Sequence, residues 1–184
     1  MYYFLGENLA KKIRGNLDGD KIIITDLNSK SLLCQRSFGK LQNKVLILDL
    51  YEALYLIDKD SLTVYKNKKK LSLEQLTKTI LRKNSKKYLM HRFAVYKDLR
   101  SKGYILKTGL KFGFDFRVYP KGKKIDEAHT QYVIEVLSES EKLTNHKIAK
   151  STRMAIGLHT SLILAIVDNE LDISYYKITR EIFQ

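Results

Sequence analysis

The chain has 184 residues, 44% of them hydrophobic, which is enough for one domain or two small ones with cores of their own. Lysine and arginine total 34 against 20 acidic residues, a net charge of +14 carried by a folded surface, so the expected partner is a polyanion, with nucleic acid favoured over an acidic membrane. The single cysteine, Cys34, excludes an intramolecular disulfide and a cysteine-rich zinc cluster, and the apolar stub of a few residues before charge appears at Glu7 is too short for a secretory segment or a membrane span, so the expectation is a cytoplasmic protein with no membrane attachment.

In the first half, short apolar runs alternate with polar breaks. Residues 18–26 (DGDKIIITD), 31–34 (SLLC), 44–48 (KVLIL) and 62–66 (LTVYK) read as strands, and Leu50, Ala53, Leu54 and Ile57 fall at helical spacing between the last two. A further helix carries Leu73, Leu76, Ile80 and Leu81 behind a Ser72 N-cap, with Glu74 suited to the positive end of its dipole. The chain then turns polar and lysine-rich, which places a domain boundary in 84–88.

The second half has a different rhythm. Residues 88–101 place Leu89, Phe93, Tyr96 and Leu99 on one helical stripe that Gly103 closes, and a strand at 104–107 and a turn at 108–113 follow. From 114 to 119 the residues alternate, with Phe114, Phe116 and Val118 on one side and Asp115, Arg117 and Tyr119 on a polar side. Pro120 should end that strand. The runs 132–137 (YVIEVL) and 162–167 (LILAIV) are apolar enough for strands covered on both faces, with a helix at 143–159 between them and a last strand in ISYYKITREIF. The fold class is therefore α/β: a small N-terminal α+β domain, residues 1–86, and a C-terminal mixed-sheet domain flanked by helices, residues 87–184.

Two lysine-rich clusters stand out. Lys66, Lys68, Lys69 and Lys70 read as a solvated loop. Arg117, Lys121, Lys123 and Lys124 surround the connection that joins Tyr119 to His129, so that cations, a phenol and an imidazole are gathered for phosphate binding and proton transfer. There is no glycine-rich phosphate loop, no HExxH and no paired-carboxylate pattern, and neither a metal nor a cofactor is expected.

The stretch VYKDLRSKGYILKTGLKFGFDFRVYPKG, followed by HTQYVIEV and a helix running into LILAIVD, resembles the C-terminal domain of the archaeal tRNA-splicing endonucleases. LDGDKIIITD and LYEALYLI are similar to the N-terminal domain of the same family. The resemblance implies metal-independent removal of introns from precursor tRNA at a bulge–helix–bulge, leaving a 2′,3′-cyclic phosphate and a 5′-hydroxyl. It also implies roles for Tyr119 as general base and His129 as general acid. The third group of the family's site, a lysine, corresponds to Thr160 here, with Ser161 beside it and Ile156 in place of the usual histidine. Neither hydroxyl supplies a fixed positive charge, and losing such a group costs on the order of 100- to 1000-fold in rate.

Arg153 matches the arginine that holds a bulged base in this family. It lies seven residues before Thr160, two helical turns away on the expected helix, and so is expected to share its face. Glu139 and Glu141, in SESEK, stand where the family has an acidic docking loop, and both are expected to be exposed and available to another subunit. The expected role is that of a non-catalytic subunit beside a homologous catalytic one in a heterotetramer. The alternative is an active homo-oligomer with His159 or a lysine from elsewhere as substitute cation.

Overall fold

The computed structural model describes residues 12–80, 86–122 and 128–181. Lys123, Lys124, Leu81 and residues 84 and 85 of the expected boundary lie outside them. The chain divides into two compact units, Met1–Lys83 and Asn84–Gln184.

In the first unit, strands β1 (Ile13–Asp18), β2 (Lys21–Ile24), β3 (Lys40–Gln42), β4 (Val45–Leu48), β5 (Leu62–Lys66) and β6 (Lys69–Lys70) form one sheet in the order β3-β4-β2-β1-β5-β6. Only β1 and β5 pair in parallel. The strand β1 was not expected. Its inward positions are Ile13, Gly15 and Leu17, and the central glycine hides the alternation. A Cβ on Gly15 would stand 2.6 Å from Ile22 Cγ2, so the sheet core requires that gap.

Residues 31–34, expected as a strand, lie instead in helix α1 (Leu27–Gln35). Asp26 caps it by accepting from Ser29 N at 2.8 Å, and Leu33 is its one buried residue, so a short apolar run was read with the wrong period. The helix α2 (Leu50–Asp58) forms as expected behind an Asp49–Glu52 capping box. Glu52 is 1% exposed and also accepts from Gly39 N at 2.9 Å, which joins the turn before β3 to the helix start. Ser72 caps α3 (Leu73–Ile80), its hydroxyl accepting from Gln75 N at 3.1 Å.

The second unit opens with α4 (Lys86–Ser101), ended by Gly103 at φ +88°. Strands β7 (Ile105–Thr108), β8 (Phe116–Tyr119), β9 (Tyr132–Ser138), β10 (Ser161–Val167) and β11 (Ile173–Ile178) form a second sheet in the order β11-β10-β9-β8-β7. The strands β9 and β10 are parallel and joined by α5 (Asn145–Gly157), a crossover unit, while the other pairs are antiparallel. Thr144 caps α5 by accepting from Lys147 N at 3.2 Å.

Helices cover both faces, as the apolar runs demand. On one face Tyr96 of α4 meets Phe116 at a ring separation of 5.9 Å. On the other, Ala155 of α5 packs with Val133, Leu137, Leu162 and Leu164. Phe114 belongs to this second cluster and not, as the alternation suggested, to the side of Phe116 and Val118. Regular strand geometry begins only at Phe116, after a 3-10 turn at Leu110–Phe112 and Gly113 at φ +78°, so period-2 counting from 114 fails.

Candidate active site

The register of the second sheet decides which side chains meet. Val118 pairs with Tyr132, and Tyr132 with Ser161. One position outward, Gln131 N donates to Val118 O at 2.8 Å, which sets Tyr119, Gln131 and Thr160 in a row across β8, β9 and β10. Arg117 pairs with Val133 on the α5 side of the sheet, and Tyr119, two residues on, takes the same side. Two strand spacings put the Tyr119 and Thr160 backbones about 10 Å apart. The chain enters this row through His129, exposed and two residues before Gln131.

Tyr119 is 5% exposed, so its ring is buried, contrary to the expectation of a phenol standing on a polar face. That side of the sheet carries the crossover helix, packed through Ala155 on Val133, Leu137, Leu162 and Leu164. The guanidinium of Arg117 lies 4.9 Å from the centre of the Phe112 ring and 5.7 Å from that of Tyr119, and its buried Nε has no hydrogen-bond partner among the described residues. Lys121 is exposed, with Nζ 4.7 Å from the Tyr104 ring.

Thr160 does not lie on the helix. The helix α5 ends at Gly157, Leu158 caps it, and His159 takes a left-handed backbone at φ +53°. Thr160 N returns to Ala155 O at 3.1 Å, closing the helix and starting β10, and its buried hydroxyl has no hydrogen-bond partner among the described residues. Counting helical turns from Arg153 to Thr160 therefore fails, and the two share no helix face. Arg153 is exposed, its Nε donating to Ala149 O at 3.2 Å. It lines a groove of about 430 Å³ with Asn145, Ile148, Thr152, Ile178 and Arg180.

Sequence reasoning passed over Gln131 and Arg180. Ile178 pairs with Leu162, so the chain leaving β11 reaches the sheet end where β10 begins, and Arg180 joins Arg153 in one groove there. The register of β10 with β11 carries that signal, and composition does not.

The opposite end of β9 is acidic. Asp115 is bonded on both oxygens, to Arg92 Nε at 2.6 Å and to Val136 N at 2.7 Å. It lines a cavity of about 290 Å³ with Glu135, Glu141, Arg92, Lys147 and Tyr88. Burial lifts the Glu135 carboxyl above the ordinary glutamate range, and nearby Asp115 and Glu141 add to the rise, while Lys147 and a hydrogen bond from Ser151 at 3.1 Å oppose it. Glu141 is tied to Lys147 Nζ at 3.0 Å with its side chain 26% exposed, so the docking loop does not hold both carboxylates free as expected. Glu139 is exposed. Among the described residues no helix is long and apolar enough to cross a membrane.

Comparison with known proteins covers both units. The model of the tRNA intron endonuclease catalytic C-terminal domain matches residues 89–175, and that of the N-terminal domain matches residues 13–77. The tRNA-splicing endonuclease of Thermococcus gammatolerans is 40% identical over 163 residues, 88% of this chain and 94% of that one. Those of Thermococcus kodakarensis and Methanococcus maripaludis are 39% identical over 163 residues and 38% over 167, covering 88% and 90% of this chain and 94% and 93% of theirs.

Proposed function

Because the chain belongs to the tRNA intron endonuclease family, we propose that it is a subunit of an assembly that removes introns from precursor tRNA at bulge–helix–bulge sites and that another, homologous subunit supplies the full catalytic set. The two domains are taken as 1–86 and 87–184. The reaction needs no metal. A ribose 2′-oxygen attacks its own 3′-phosphate, the bond from phosphorus to the 5′-oxygen breaks, and a 2′,3′-cyclic phosphate and a 5′-hydroxyl remain. A base must take the 2′-proton, an acid must protonate the departing oxygen, and a cation must stabilise the charge on phosphorus. Tyr119 and His129 correspond to the first two. Arg117, Lys121 and Arg153 supply RNA contacts, and Glu139 contacts the partner.

The observation that carries the reading is Thr160 at the lysine position, a neutral side chain with a buried hydroxyl. A second reading, an active homo-oligomer, is favoured by the retention of Tyr119 and His129 and by Arg180, a cation near the sheet end where Thr160 lies.

Cleavage of a bulge–helix–bulge precursor tRNA by the purified chain distinguishes them. The structural reading expects a rate on the order of 100- to 1000-fold below that of a complete site, and partial recovery in Thr160→Lys. Recovery stays partial because Ser161 and Ile156 also differ from the family pattern. Robust cleavage by the parent chain that is lost in Arg180→Ala and indifferent to Thr160→Lys would replace the structural reading with the catalytic one.

A further inference from the structure

The lysines at 66–70 do not form a loop. The strands β5 and β6 make a tight hairpin in which Tyr65 faces Lys70 and Lys66 faces Lys69. The two turn residues, Asn67 and Lys68, both have positive φ, 48° and 65°, the geometry of a type I′ turn whose second position favours glycine. Two local choices thus oppose stability. A lysine occupies the left-handed position, and two lysines oppose each other directly across the strands, where like charges repel. Lys66, Lys68, Lys69 and Lys70 are all exposed, and among the described residues none of them pairs with a carboxylate.

The outer face of the same sheet continues the pattern. Asn16, Tyr65 and Lys70 form a cross-strand row, and the guanidinium of Arg14 stacks 4.1 Å from the centre of the Tyr65 ring. Arg14 and Lys70 flank the Tyr65 ring on this face, Lys68 stands at the turn, and Lys66 and Lys69 project from the opposite face by strand alternation, so the sheet edge carries cations on both sides, which match a chain of phosphates rather than a single carboxylate. An acidic protein loop is the weaker fit, because the one such loop identified in this chain offers Glu139 alone while Lys147 holds Glu141.

We infer that the β5–β6 hairpin, with Arg14 and Tyr65, is a second RNA-contact surface, which grips the sugar–phosphate backbone of the substrate without reading its sequence. The inference rests on precursor tRNA being the substrate, and it extends that reading to a surface of the N-terminal unit. Bound phosphates relieve the opposition of Lys66 and Lys69, which explains why a sequence would keep a hairpin that repels itself. Contacts of this kind bind bulged and regular helices alike, and their strength falls with salt.

The test uses the full chain with Lys66, Lys68, Lys69 and Lys70 all changed to Ala. Fluorescence anisotropy measures binding to a bulge–helix–bulge precursor tRNA and to a perfect RNA duplex across a salt series. The slope of log Kd against log salt should fall by about 2 to 4, at roughly one unit per lost phosphate contact, with both RNAs affected alike. The melting temperature should stay level or rise, because the Lys66–Lys69 opposition is gone. Should the fourfold variant fold poorly, Lys68→Glu alone carries the same test, with a smaller change of slope. Parental slopes and affinities in the variant would overturn the inference. An unchanged slope with an altered mass in light scattering would overturn it in favour of a protein-docking surface. Failure of the parent chain to bind either RNA would overturn the tRNA reading as well, so the two failures are told apart.

Discussion

Along β9, four residues separate two chemically opposite surroundings on one side of the sheet. At Gln131 the neighbours are Tyr119 and Thr160, with Arg117 stacked on the Tyr119 ring and the exposed His129 leading into the strand. At Glu135 they are Asp115 and Glu141, held by Arg92 and Lys147 around a cavity. The difference lies in the sign of the charge and not in how completely polar groups are paired. Asp115 has both oxygens bonded, yet Glu135 Oε2 and Glu141 Oε2, like Arg117 Nε and the Thr160 hydroxyl, are buried with no hydrogen-bond partner among the described residues. Unpaired buried groups cost stability at both ends, but only the end with Arg117 offers a cation to a ligand, while at the other Arg92 and Lys147 are already held by carboxylates. The separation also keeps three carboxylates away from the end where a polyanion would bind.

The comparison breaks most visibly at Asp115. Its carboxylate is 10% exposed and compensates Arg92, so Asp115→Ala removes the carboxylate that Arg92 Nε meets at 2.6 Å and takes the acceptor from Val136 N, and should cost about 3 to 5 kcal/mol. In a unit of roughly 100 residues that lowers the melting temperature by more than about 10 °C, read by thermal denaturation. A loss under about 1 kcal/mol would mean that water replaces the carboxylate at the acidic end.

A change of opposite sign is expected at the other end. Thr160→Val keeps the shape and removes a buried hydroxyl that has no partner among the described residues, so it should stabilise the chain by about 1 kcal/mol. A destabilised Val variant would show that the hydroxyl is hydrated or bonded in solution.

The smallest effect depends on pH. A carboxyl whose folded-state pKa lies above its unfolded value stabilises the fold fully below the unfolded value, near 4.5 for glutamate, and loses that contribution as pH rises through the folded pKa. Glu135 is such a group. Glu135→Gln stays neutral and still accepts from Ser151, so its melting temperature relative to the parent should climb as the pH rises from about 4.5 and level off above the folded pKa. Parallel curves for the two proteins would place Glu135 in an ordinary aqueous setting and leave the acidic cavity without influence on stability.

Periodicity alone determined much of the architecture. The strands at 62–66 and 132–137, the helices beginning at Leu50 and behind Ser72, and the stop at Gly103 and at Pro120 all follow from spacing, caps and turn residues, which act within a few neighbours. The family was likewise legible, since VYKDLRSKGYILKTGLKFGFDFRVYPKG is a contiguous stretch. The failures share one physical cause, which is that the deciding contact is a specific cap, close approach or ion pair that apolar spacing does not register. The residues 31–34 became helical through an Asp26 cap and a single buried leucine, and β1 was hidden because Ile22 requires a glycine opposite it. Tyr119 is buried on a strand that pairs with both β7 and β9 and beneath the stacked Arg117 guanidinium, which alternation alone does not register. Thr160 left the helix because Ala155 O captures its N–H, and Glu141 is held by Lys147 from the next helix. The sequence by itself determined which chemical groups are present, a neutral threonine at 160 among them. Only the tertiary structure decided that Gln131 sits between Tyr119 and Thr160, that Arg180 reaches the groove of Arg153, and that four exposed lysines gather on one hairpin, because register between strands is set by packing and not by any local preference.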